Sequence, residues 1–186
     1  MPNYRSGVDG LRVSNSTKGG ITFAASTTQN GIHMITVVLG VEAVDGDPYA
    51  RFVATSSLMN YVVRTFVSSI VVKEGDPYGK SKASVMDGKS ESVLAVAKKD
   101  FYIIEKQGSQ AEPKIQFKST QESFKAPVKS GTILGKLHYT DPDKIGRGYL
   151  EDQEPTVDMV AGRTIEKSFF LKVWWNEFVR YVNEKL

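Results

Sequence analysis

Turned at about 100° per residue, the stretch Thr164–Leu186 separates into two halves. Phe170, Leu171, Trp174, Trp175, Phe178, Val179, Tyr181, Val182 and Leu186 fall on one side. Lys172, Asn176, Glu177, Arg180, Asn183 and Glu184 fall on the other. The segment has no Gly or Pro and holds both tryptophans of the chain, so the period predicts an amphipathic helix. Such an apolar face needs cover, and adjacent tryptophans suit the boundary between water and lipid. Charged residues interrupt it too often for a membrane span, which needs about 20 mostly apolar residues. The helix is expected to lie on a membrane or to pack on protein.

Upstream, the period changes. Gly20–Thr27 alternates with Ile21, Phe23 and Ala25 on one side, and Gly31–Leu39 is rich in branched residues. Asn30-Gly31 between them is a strong hairpin signal. Asp47-Pro48 reads as an N-cap with proline in the first turn. It opens a helix over roughly Pro48–Val67 with Phe52, Met59, Val62, Val63 and Phe66 on one face. From Val72 to about Gly162 come short strand-like runs: Ser92–Ala97, Phe101–Ile104, Lys114–Phe117, Thr132–Thr140 and Thr156–Val160. Asp76-Pro77, Asp87-Gly88, Ser130-Gly131 and Asp141-Pro142 mark turns between them. This predicts three parts: a sheet with one helix over 1–67, an all-β domain over 68–163, and the amphipathic helix over 164–186.

Composition narrows the chemistry. The chain has 186 residues, a net charge of +3 and no cysteine, which excludes disulfides, thiol catalysis and thiolate metal sites. With only His33 and His138, a histidine metal site is not expected, and no cofactor is. Basic residues are spread among acids, so there is no nucleic-acid footprint, only a weak attraction to an anionic membrane surface. Met1–Gly10 is polar and loop-like, not a secretory signal.

Several runs are recognisable. Val8-Asp9-Gly10-Leu11 opens the chain, followed by Gly19-Gly20-Ile21-Thr22-Phe23-Ala24-Ala25-Ser26, Gly31-Ile32-His33-Met34-Ile35-Thr36-Val37-Val38-Leu39-Gly40 and Ala50-Arg51-Phe52. These resemble the end of the penicillin-binding domain of low-molecular-weight D-alanyl-D-alanine carboxypeptidases. Ala126-Pro127-Val128 with Gly131, Leu134 and Gly135 looks like that family's membrane-proximal module, and the tail like the anchor of Gram-positive members. The resemblance implies an α+β fold: a truncated remnant of the β-lactamase-like sheet with one helix, an antiparallel all-β domain and a terminal amphipathic helix. It implies serine-type removal of terminal D-alanine from the peptidoglycan stem peptide, at the extracellular face of the cytoplasmic membrane.

That chemistry uses a Ser-x-x-Lys nucleophile and base, a Ser-x-Asn relay and a Lys-Thr-Gly strand. Here no serine has lysine three residues on, and no Ser-x-Asn occurs; the resemblance implies that both lie upstream of Met1. Where Lys-Thr-Gly is expected the chain has Arg12-Val13-Ser14. Arginine keeps the charge on a planar fork, valine lacks the hydroxyl, and serine puts a side chain where substrate backbone must approach. Lys129-Ser130-Gly131 matches the triplet but reads as a turn. The chain alone is therefore expected to be inactive. The alternative is a non-catalytic β-rich spacer at the membrane surface, left from a degenerate gene. A further expectation is that the first 67 residues are a poorly folded remnant whose face of Phe52, Met59, Val62, Val63 and Phe66 is exposed, an aggregation risk or a dimer surface.

Overall fold

The computed structural model describes residues 5–16, 20–41, 49–110, 112–141, 144–146, 148–149, 151, 153–169, 173–174, 179 and 181–182. Asn30 and Gly31 both take positive φ, 52° and 75°, the turn that lets two twisted strands reverse. It joins β2 (Gly20–Gln29) to β3 (Ile32–Val41), and β1 (Val8–Ser16) pairs on the far side of β2. Residues Val8–Gly10, which read as loop, are thus strand, held by the ladder to Ala25, Ser26 and Thr27.

The helix α1 spans Ala50–Thr65; Asp47 and Pro48, the expected cap and first turn, lie outside the described residues. It stops short of Val67 because Phe66 turns extended, at φ −122° and ψ 150°. The branched run that follows is drawn into β4 (Phe66–Val72), which pairs with β7 (Phe101–Lys106).

Met59 is fully buried over Phe23, Ala25, Ile32 and Met34, with Phe52, Val62, Val63 and Phe66 half-buried around it. Phe52 meets Phe23 edge-on at 5.0 Å. The helix face expected to be open is therefore covered, because the sheet of this same chain supplies the apolar partner. The uncovered apolar surface is on the sheet's other side, where Ile35 is 63% and Leu39 74% exposed.

Met1–Ser69 with Ile104–Ser109 forms one compact unit, and Ile70–Ile103 with Gln110–Leu186 the other. The second is built on β5 (Pro77–Met86), β6 (Ser92–Ala97), β8 (Lys114–Ser119), β9 (Ser123–Lys125), β10 (Ile133–Thr140) and β11 (Thr156–Ala161). They form one sheet in the order β8-β10-β11-β6-β5-β9. Alternation turns Val85, Val93, Ala95, Leu137, Val157 and Met159 into its core.

Two expectations need correction here. The domain is not wholly antiparallel: β9 runs parallel to β5, with Val85 opposite Phe124. A parallel neighbour needs a crossover, and the residues between Met86 and Ser123 supply it through β6, β7 and β8. The segment from Thr164 is not helical at its start. Ile165 and Val128 exchange backbone hydrogen bonds at 2.8 and 3.0 Å, and Ser168 donates to the Asp87 carbonyl at 2.8 Å. Lys167 bridges Gly88 and Ile165 is buried in the core, so Thr164–Ser168 is an extended strap on this domain.

Met59→Ala is expected to cost the first unit about 3 kcal/mol, the usual loss for a fully buried methionine. Ile35→Thr, on the bare face, is expected to change it by less than about 0.5 kcal/mol. Hydrogen exchange of the β2–β3 amides reads both; equal losses would refute the assignment of faces.

Candidate functional site

The expected catalytic strand is β1. Arg12 stands opposite Ala24, Val13 opposite Phe23 and Ser14 opposite Thr22, after a bulge between Gly10 and Arg12. Cross-strand partners share a side, and Ala24 is in turn opposite Val37. Arg12 and Ser14 therefore share the bare face, and Val13 lies on the helix side. All three are exposed. Thr22 Oγ1 donates to the Ser14 carbonyl at 3.3 Å. The strand offers one cation and no hydroxyl at the position of Val13.

Sequence reasoning missed Arg5. Its guanidinium donates to the Ser56 carbonyl at 3.1 Å, to Asn60 Oδ1 at 2.8 Å and to Gln29 Oε1 at 3.3 Å. It borders a cavity of about 190 Å³ with Val8, Gly10, Phe23, Phe52, Thr55, Ser56 and Met59. No local pattern announces this arginine, because its partners lie 24 to 55 residues away. It ties the start of β1 to α1.

Lys129-Ser130-Gly131 is a turn of the β-rich domain. Thr132 donates to the Lys129 carbonyl at 3.1 Å, Gly131 to Ala161 at 2.9 Å, and Ser130 N–H to Thr164 Oγ1 at 3.0 Å. Of the expected membrane-facing residues, Phe170, Leu171, Trp175 and Phe178 lie outside the described residues. Trp174 (61%), Val179 and Tyr181 are exposed, and Val182 is half-buried. Val173 donates to the Phe169 carbonyl at 3.2 Å. Among the described residues no helix is long and apolar enough to cross a membrane.

His33 is exposed, with Nδ1 3.1 Å from Thr28 Oγ1. His138, on β10 between Gln116 and Thr156, has its pKa held below the ordinary value by partial burial, then by Lys118 and Lys136; Glu154 opposes this. Among the described residues no cluster of three or more acids and histidines could hold a metal.

A family model described as "Penicillin-binding protein 5, C-terminal domain" matches residues 66–167, ending at the residue that bridges Gly88. D-alanyl-D-alanine carboxypeptidase DacA of Haemophilus influenzae is 28% identical over 133 residues, 71% of this chain and 32% of that protein. DacC of Escherichia coli is 25% identical, covering 90% of this chain and 38% of that one. The crystal structure of a peptidoglycan synthesis regulatory factor (PBP3) from Streptococcus pneumoniae superposes with TM-score 0.82 at 44% identity, over 89% of this chain and 45% of that one. Penicillin binding protein 5 of Haemophilus influenzae shares the fold, with TM-score 0.60 at 23% identity, over 86% of this chain and 43% of that one. The chain thus spans about a third to a half of the length of these relatives.

The imidazole of His138 is expected to titrate below the usual histidine value of about 6.5, read by NMR. Lys136→Gln removes one repulsion from the protonated ring, so its midpoint should rise. An unchanged or lower midpoint would contradict the contribution assigned to Lys136.

Proposed function

Because this chain belongs to the penicillin-binding protein 5 C-terminal domain family, as the C-terminal portion of a low-molecular-weight penicillin-binding protein, we propose that it works in the cell envelope without catalysing D-alanine release itself. The observation that carries this is in the residues: no serine of the chain has lysine three positions on. Without a nucleophile and its base, covalent acyl transfer has no first step. Arg12-Val13-Ser14 on β1 is a second obstacle, since Val13 lacks the hydroxyl expected at its position and Ser14 adds a side chain where the triplet has glycine. The bare face bearing Ile35, Val37 and Leu39 supports reading the first unit as one layer of a larger catalytic domain. More than half of the pneumococcal chain lies beyond the part this chain covers. Peptidoglycan stem peptides would then be the substrate of the assembled enzyme, not of these residues.

The exposed aromatic side chains Trp174 and Tyr181 favour a second element of the reading. The terminal segment lays an amphipathic helix on a membrane surface and so holds the β-rich domain there.

Purified chain incubated with a fluorescent penicillin is expected to give no labelled band that unlabelled drug removes. A competed band, or D-alanine released from a pentapeptide mimic, would overturn the catalytic part of the reading.

For the anchor, a version ending at Ser168 keeps the strap intact. It should lose most of the sedimentation with anionic liposomes that the full chain shows. Equal partitioning of the two would sink the membrane role.

A further inference from the structure

Charge along the six-stranded sheet is one-sided. Lys80, Lys82, Lys114, Lys118, Lys125 and Lys136 are all exposed, and the only acid within these strands is Asp158. The asymmetry is sharpest across β8, β10 and β11. Lys136 stands directly across from Lys118 on one side and Asp158 on the other. Neighbouring strands are about 4.8 Å apart, so two lysines leave the same face directly opposite each other, a like-charge pairing that destabilises a sheet. The Asp158 carboxylate is engaged instead by Lys98, at 3.7 Å. Lys98 and Lys99, with Thr156 and Asp158, line a cavity of about 290 Å³ and continue the positive strip. The strip runs over β8, β10 and β11 to the residues just after β6, a width of about 14 Å.

We propose that this strip, from Lys114 and Lys118 through Lys136 to Lys98 and Lys99, binds an extended phosphodiester polymer. A polyanion laid across it would turn the repulsion of Lys118 and Lys136 into two attractions. Compact ammonium groups suit phosphate as point charges. A strip this wide exceeds a single phosphate, which favours a chain. The residues between the lysines are Gln116, His138, Thr140 and Thr156; Thr140 donates to Glu154 Oε2 at 3.0 Å, and Gln116, His138 and Thr156 are left as hydrogen-bonding groups suited to sugar or glycerol units. There is no exposed aromatic ring among them for bases to stack on, and no apolar wedge of the kind that enters lipid. These absences select a soluble polymer over nucleic acid or a membrane.

The test titrates the full chain with poly(glycerol phosphate) by calorimetry. With Lys98 held by Asp158, the other four lysines give four contacts, and affinity should fall about 50-fold between about 50 and 200 mM salt. The Lys118→Gln, Lys136→Gln double variant should bind about 10-fold more weakly while its Tm stays level or rises, because the repelling pair is gone. The Lys82→Gln, Lys125→Gln control loses the same charge elsewhere and should bind within about 2-fold of the parent. Equal losses in both variants would overturn the site. So would equal binding by polyglutamate, or a loss of phosphatidylglycerol-vesicle binding by the first variant as large as its loss of polymer.

Discussion

Everything in the larger unit depends on one apolar sheet face being filled without gaps. Leu134, Leu137 and Met159 are fully inaccessible there, and Val93 and Val157 nearly so; burying each such side chain contributes about 1.5–3 kcal/mol. Because strand side chains alternate, fixing these inward positions fixes the outward ones as well. A one-residue slip of β10 would bury Lys136 and expose Leu137. The same constraint explains Gly135. A Cβ there would lie 2.8 Å from the Phe117 ring and 2.9 Å from Ser119 Cα, so only glycine lets β10 lie this close to β8, beside the bulge that it makes against β11.

How much of this the sequence reveals depends on how large the inward residues are. β6 runs over Ser92–Ala97 as expected, and β10 and β11 lie within a residue of their expected ends, because branched or long side chains mark their alternation. β5 escapes notice, since its inward positions begin with Ser81 and Ala83, too small to give a signal. β9 has only three residues. The strap Thr164–Ser168 is hidden differently: it runs on into a segment of helical period, and only its pairing with Val128 and Gly88 shows it to be extended. In the smaller unit the helix face was legible but its partner was not. Periodicity identifies an apolar face, not which of two faces in the chain will meet it.

The candidate catalytic strand shows a parallel division. Resemblance picks out Arg12, Val13 and Ser14, and β1 does carry them at a sheet edge, yet a strand alone performs no acyl transfer. Arg5, which fastens that strand to α1, had no signature to find. Its donors reach one backbone carbonyl and two side-chain amides across the unit, a pattern visible only once the chain is folded. The second unit, by contrast, presents charge that no catalytic motif predicts.

The strap has a consequence for the order of events as the polypeptide leaves the ribosome. Within this domain β5 and β6 precede the other strands, but β5 waits for β9, and the rim formed by Asp87, Gly88 and Val128 stays unfilled until Ile165 arrives. Contacts so distant in sequence slow the search for the native state. The nascent domain therefore keeps an unsealed interior until Ile165, 79 residues beyond the end of β5 at Met86, has been made.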